Sequence, residues 1–191
     1  ELWALYPALK TATPLPPARL APPTISYADF SQWQQTMLTS AEGERLWHYW
    51  REQLADAQTI LDLPTDYPRP ALPAYRGASH TVTLQAEVTQ SLRALARAEN
   101  VTLYMILLAA YQTLLHRYTG QDDILVGSAM AGRNQPQFAD VVGYFVNPVV
   151  MRGRFAGNPT FQAMLQQVRA TVLGALAHQD YPYPLLVARL Q

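Results

Sequence analysis

Two apolar, β-branched runs, residues 124–130 and 141–151, stand on either side of a polar loop that holds Gly132, Arg133, Asn134 and Pro136. Apolar runs bounded by glycine and proline chemistry read as buried strands. The pair is therefore expected to form the central strands of a sheet. The residues before them read as approach and packing helices, and the residues after them as one long helix lying back on the sheet.

The helices have their own signals. Tyr27, Phe30, Trp33 and Met37 recur every three or four residues, with Ser26 available as a cap. A second helix is expected over 42–54, where Leu46, Trp47, Trp50 and Leu54 share a face. Val88, Leu92, Leu95 and Ala96 mark a third, which ends near Asn100. Thr102 caps a fourth over 103–118, whose Leu103, Ile106, Leu107, Ala110, Leu114 and Leu115 cover a broad face before Gly120 stops it. After the strands, Asn158 as cap and Pro159 in the first helical position predict a helix over 159–177. Residues 80–84, with Val82 and Leu84 on one side, read as a further short strand.

Prolines punctuate the first part of the chain. Residues 1–10 place Leu2, Leu5 and Tyr6 at helical spacing before Pro7, as in the tail of a helix that began upstream. Pro14, Pro16, Pro17, Pro22 and Pro23 then predict an extended linker, and Pro64, Pro68, Pro70 and Pro73 a second surface crossing.

Composition narrows the functional classes. With 191 residues and 49% hydrophobic content, the chain can bury a sizeable core. Fourteen basic side chains balance fourteen acidic ones and the arginines are scattered, so neither nucleic acid nor an anionic membrane is an expected partner. The absence of cysteine excludes a thiol nucleophile, a disulfide framework and any zinc site built on thiolates. The most apolar run, residues 103–115, is well short of the roughly 20 residues that a membrane span needs.

Few side chains announce chemistry. His48, His80, His116 and His178 show no i, i+3 or i, i+4 pairing, so no helical metal pair is expected. There is no nucleophile elbow, phosphate loop or dinucleotide fingerprint, and Ser128 reads as structural. His178 stands at a helix end before Pro182 and Pro184, where it is expected to meet the last carbonyls of its helix. Gly143 and Asn147 interrupt an apolar run. They mark either a bulge with a local side-chain bond or a strand edge that lines a tunnel.

Six segments taken in order carry a resemblance. They are Tyr27-Ala28-Asp29-Phe30-Ser31-Gln32-Trp33, Tyr49-Trp50-Arg51-Glu52-Gln53-Leu54, Leu63-Pro64-Thr65-Asp66-Tyr67-Pro68-Arg69-Pro70, Tyr75-Arg76-Gly77, Val142-Gly143-Tyr144-Phe145-Val146-Asn147 and His178-Gln179-Asp180-Tyr181-Pro182. The set resembles the condensation domains of non-ribosomal peptide synthetases. That resemblance implies an α/β, chloramphenicol-acetyltransferase-like layered fold, with helices packed on a mixed sheet. It also implies joining of a carrier-bound acyl or peptidyl thioester to the amine of a carrier-bound aminoacyl thioester.

The partners it implies are donor and acceptor carrier proteins and a neighbouring adenylation domain, in the cytoplasm. No cofactor is expected to bind directly, since substrates ride on the phosphopantetheine arms of the carriers. The family's His-His-x-x-x-Asp-Gly motif is absent from this sequence. The chain is thus expected to be an internal portion, incomplete at both ends and without amide-forming activity of its own. Residues 1–79 would be the helical and proline-rich segment after the motif, at the lobe junction, and 80–191 the first part of the C-terminal lobe.

Residue by residue, the resemblance implies that Arg133 pairs with the motif aspartate as a structural salt bridge, or in its absence is solvated or held by a local group such as Asp140. Gly143, Tyr144 and Asn147 would form tunnel wall, His178 and Gln179 a loop near the site, and Tyr27, Asp29 and Trp33 a structural motif. The alternatives are a non-catalytic docking or scaffold module of the same fold, or an epimerisation or heterocyclisation relative.

Overall fold

The computed structural model describes Lys10, residues 24–68, Leu72 and residues 77–190. The expectations for the helix tail over 1–10, for the linker prolines and for Tyr75 and Arg76 fall outside those residues, apart from Lys10 itself.

Among the described residues six helices and a strand pair succeed one another in order: α1 Tyr27–Leu38, α2 Ala41–Gln53, α3 Ala86–Ala98, α4 Leu103–Thr119, β1 Asp123–Met130, β2 Asn147–Arg154, α5 Phe161–Ala177 and α6 Tyr183–Leu190. A short 3-10 turn, Pro136–Phe138, lies in the loop between the strands. Capping chemistry sets most of the helix starts. At α1 the Ser26 amide donates to the Asp29 carboxylate at 2.7 Å, while the Ser26 hydroxyl accepts from the Asp29 amide at 3.4 Å. Thr102 accepts from Met105 N at 3.2 Å to open α4, which ends on Gly120 in a left-handed conformation at φ 69°.

The strands pair antiparallel without a break, from Asp123↔Arg154 to Met130↔Asn147. α5 packs mainly on β2, α4 on β1 and α5, and α3 on α4. One core runs through these layers: Leu46 and Trp50 of α2, Ile106 and Ala109 of α4, Ile124, Val149 and Met151 of the strands, and Met164, Leu165 and Val168 of α5. Among the described residues Gln112 is the one buried polar side chain; its amide donates to Met151 O at 2.9 Å, and its Oε1 lies against Gly153 of β2. A second, aromatic cluster joins Phe30 to Phe138, Val141 and Phe145, with Trp33 between the two cores.

Three expectations are corrected. Residues 141–146 are not strand, and β2 begins only at Asn147. The Arg133 guanidinium collects the carbonyls of Phe138, Ala139 and Val141, which removes them from any ladder, and Val142 and Tyr144 project outward. Residues 80–84 form no strand, because no partner meets them among the described residues and Val82 is 69% exposed. α5 starts two residues late: Asn158 is left-handed at φ 52°, and Thr160, which accepts from Ala163 N at 3.2 Å, is the cap. The sheet among the described residues is a single antiparallel pair, and α6, with Pro184 in its first turn, is an element the sequence patterns do not mark.

One ion pair fastens the irregular 54–63 segment to the sheet. Arg152 meets Asp123 through Nε at 2.8 Å and Nη2 at 2.7 Å, and its Nη1 donates to the carbonyls of Gln53 and Ala55. Gln58 N donates to the same carboxylate at 3.0 Å. Burial opposes ionisation of Asp123, but the Arg152 hydrogen bonds, the Gln58 amide and the nearby arginine charges outweigh it and hold the carboxyl below its ordinary range. A carboxylate depressed in the folded state stabilises at neutral pH, and that contribution is lost as pH falls through its folded value. Asp123→Ala should therefore lower stability at pH 7 by about 3 kcal/mol, since it strands a largely buried guanidinium. In urea titrations across pH, the variant should also lose part of the parent chain's decline below about pH 4.

Candidate functional site

The loop between the strands, the start of β2 and the turn between α5 and α6 converge on α1 to enclose a cleft of about 160 Å³. Its wall includes Tyr27, Trp33 and Gln34 from α1, Tyr144 and Asn147, and Gln179 and Asp180. It holds aromatic rings, carboxamides and one carboxylate, with no lysine, arginine or histidine among the described residues that line it.

Asn147 is the keystone of this wall. Its Nδ2 donates to the carbonyls of Gln179 and Tyr181, both at 2.8 Å, and its Oδ1 accepts from Tyr183 N at 2.9 Å. The amide is consumed in tying the first residue of β2 to the α5–α6 turn, as a half-buried carboxamide must be. Next to it, Asn134 donates to Asp180 Oδ1 at 2.9 Å and fixes the other side of the same turn.

Tyr27 shapes the opposite wall. Its hydroxyl donates to Tyr144 O at 2.7 Å and its ring stands edge-on to Phe145, with centroids 5.3 Å apart. A side chain at Gly143 would run into the Tyr27 ring, which is why the chain can close against α1 only with glycine there. Asp29, by contrast, faces away into its capping box, where the Ser26 amide and hydroxyl hold its carboxyl below the ordinary range.

Two candidate residues sit at the α5–α6 turn. His178 lies behind the cleft and stacks on Tyr49 with ring centroids 3.8 Å apart. Its Nδ1 donates to Gly174 O at 2.7 Å, and its Nε2 accepts from Arg45 Nη1 at 2.7 Å. With the proton on Nδ1 both nitrogens are satisfied, so the ring meets a carbonyl of its own last turn and offers no free base. Gln179 lines the cleft and donates from Nε2 to Leu176 O at 2.8 Å.

Arg133 contacts no carboxylate among the described residues. Its Nη1 donates to Phe138 O and Ala139 O, both at 3.0 Å, and to Val141 O at 2.8 Å, and its Cζ sits 4.1 Å above the Phe145 ring. Asp140 is not among its partners, because the turn points three carbonyls rather than that side chain at the guanidinium.

The structure thus brings Tyr27, Trp33, Tyr144, Asn147 and Gln179 to one cleft, sets Gly143 against its Tyr27 wall, and leaves Arg133, Asp29 and His178 outside its lining. Gln34 and Gln135 line it without any local sequence signal, whereas Asp180 belongs to the 178–182 segment of the family resemblance. No group of three or more acidic or histidine side chains among the described residues could hold a metal ion, and no helix there is long and apolar enough to cross a membrane.

The α/β layered fold is that of the chloramphenicol-acetyltransferase-like acyltransferases. The chain belongs to the condensation-domain family, whose model it matches over residues 1–191. It is 46% identical over 192 residues to one of the linear gramicidin synthase proteins of Brevibacillus parabrevis, an alignment that covers 100% of this chain and 2% of that protein. The X-domain from teicoplanin biosynthesis superposes with a TM-score of 0.84 at 26% identity, over 97% of this chain and 42% of that one. The first condensation domain of the CDA synthetase gives a TM-score of 0.74 at 22% identity, over 100% and 41%, a likeness of fold alone.

Asn147→Ala leaves the carbonyls of Gln179 and Tyr181 and the amide of Tyr183 without their partner. It should lower unfolding free energy by about 2–3 kcal/mol in denaturant titration. Asn147→Asp keeps the acceptor but sets a carboxylate oxygen against the two carbonyls, so at pH 7 its stability should fall at least as far as that of the alanine variant.

Proposed function

We propose that this chain contributes to a condensation domain that joins a carrier-bound acyl or peptidyl thioester to the amine of a carrier-bound aminoacyl thioester. The observation that carries the reading is the match to the condensation-domain family along the entire chain, together with a cleft that gathers Tyr144, Asn147 and Gln179. The lining suits an uncharged arm that bears amides, such as the pantetheine part of a carrier's prosthetic group, better than its phosphate, for which no cation among the described residues lines the cleft.

Amide formation needs the amine aimed at the thioester carbonyl, a group to accept its proton, and donors for the oxyanion. The residues here serve the first need. Asn147 holds the α5–α6 turn and Tyr27 holds the 143–146 segment, so the cleft wall keeps its shape. The proton acceptor is assigned to the part of the domain that lies outside this chain. His178 has both nitrogens committed, and the sequence contains no His-His pair. In this reading residues 1–79 come after the catalytic motif at the lobe junction and 80–191 begin the second lobe, with carrier proteins and an adenylation domain as cytoplasmic partners.

Arg133 is assigned a fold-holding role. Nε and Nη2 have no acceptor among the described residues, which leaves an edge of the guanidinium open to a bidentate carboxylate from the other lobe.

Two measurements test the reading. The 191-residue chain, incubated with loaded donor and acceptor carriers, should form no dipeptidyl thioester above background by mass spectrometry; turnover would place the base within it. In the full domain, Arg133→Ala should lower the melting temperature along with turnover. Lost turnover at an unchanged melting temperature would make Arg133 a substrate-binding or catalytic residue instead.

A further inference from the structure

A second cleft, of about 500 Å³, lies between α2, the end of β2 and α5, and it shares no lining residue with the candidate site. Tyr49 and Gln53 line it from α2, Arg152 and Arg154 from β2, and Gln167 and Thr171 from α5. Each of these six side chains carries a hydrogen-bond donor, and no carboxylate lines the cleft among the described residues.

Charge is not balanced there. Asp123 is taken by Arg152 in a two-point pair. Arg154 is close enough for its charge to help hold the Asp123 carboxyl down, yet it makes no ion pair among the described residues. One carboxylate thus faces two guanidiniums, which leaves a net positive charge at the cleft.

Arg152 also keeps a donor in reserve. A guanidinium has five N–H groups. Here Nε and one N–H of Nη2 go to Asp123, and Nη1 goes to the carbonyls of Gln53 and Ala55. The remaining N–H of Nη2 has no acceptor among the described residues, although the side chain is only 9% exposed.

Tyr49 supplies a third donor in a fixed place. Its ring stacks on His178, and its hydroxyl lies against Gly174, where a Cβ would collide with it. Burial pushes the phenol's pKa up, so it stays protonated at neutral pH.

We propose that this cleft binds a small phosphorylated molecule, whose phosphate or diphosphate group is held by Arg154, the uncommitted Nη2–H of Arg152 and the Tyr49 hydroxyl. Donors from two elements in a positively charged setting suit a tetrahedral group, whose oxygens point in several directions, better than a flat carboxylate with two. The volume falls within the range of about 300–1,000 Å³ that small-molecule sites occupy. Gln53, Gln167 and Thr171 can donate and accept, and would meet the uncharged remainder of the ligand. The inference rests on these side chains and is independent of the amide-forming reading, so its test needs no turnover.

Titration calorimetry of the full domain should show one saturable site for pyrophosphate, with inorganic phosphate weaker and malonate weaker still. Arg154→Gln should weaken pyrophosphate binding by about 10-fold or more, and Tyr49→Phe by about 3-fold or more, with ligand-free melting temperatures unchanged. Absence of saturable binding would overturn the proposal, as would malonate binding tighter than either phosphate, or Arg154→Gln binding as tightly as the parent. If a variant fails to fold, hydrogen exchange of the unsubstituted domain decides. Pyrophosphate should slow exchange in peptides over 149–156 and 166–174, and protection confined to other segments would place the anion elsewhere and overturn the assignment.

Discussion

The side-chain amide of Asn147 is the contact on which the cleft depends. A strand start, a helix end and a helix beginning meet there with no regular hydrogen-bonding pattern to share, and one carboxamide satisfies a group from each side of the turn. The neighbouring Trp50 indole donates to His178 O at 2.9 Å and fixes the same turn from the core side. Rigidity at the cleft is thus borrowed from the packed centre of the fold, in which Trp50 is only 2% exposed.

Irregular segments elsewhere are ordered in a related way, by cations that collect main-chain carbonyls. Arg152 takes those of Gln53 and Ala55, and Arg133 those of Phe138, Ala139 and Val141. A guanidinium presents several donors in a fixed plane, so it can replace the ladder or helix bonds that a turn lacks. Arginine outnumbers lysine thirteen to one in this chain, and Arg152, which spreads Nε, Nη1 and Nη2 over a carboxylate and two carbonyls, shows a use that a lysine's single ammonium would not reproduce.

The range of each interaction decides how much of the structure is legible in the sequence. Helices announced by local caps and periodic faces, such as α1 with Ser26 and Asp29 and α4 with Thr102 and Gly120, stand where the patterns put them. Residues 141–146 read as strand because Val141, Val142, Phe145 and Val146 are apolar, yet their conformation is set by Arg133 and Tyr27, the latter more than a hundred positions away. Residues 80–84 carry an alternating pattern with no partner to pair with among the described residues. At the cleft, Tyr144, Asn147 and Gln179 are visible in the sequence as parts of ordered motifs. The glutamines at 34 and 135 have no local mark, because only tertiary folding brings them to the wall.

The contact between Gln112 and Gly153 bears on folding fidelity. A hairpin with a long connection can pair in several registers, and a shift by two residues would keep every apolar side chain on its proper face. Such a shift would bring Met151 or Phe155 to the position opposite Ile124, where Gly153 now lies with Gln112 Oε1 only 2.8 Å from the site of a Cβ. Either side chain would have to displace that amide from its bond to Met151 O. The glycine and glutamine together favour the observed alignment of the strands over its closest competitors.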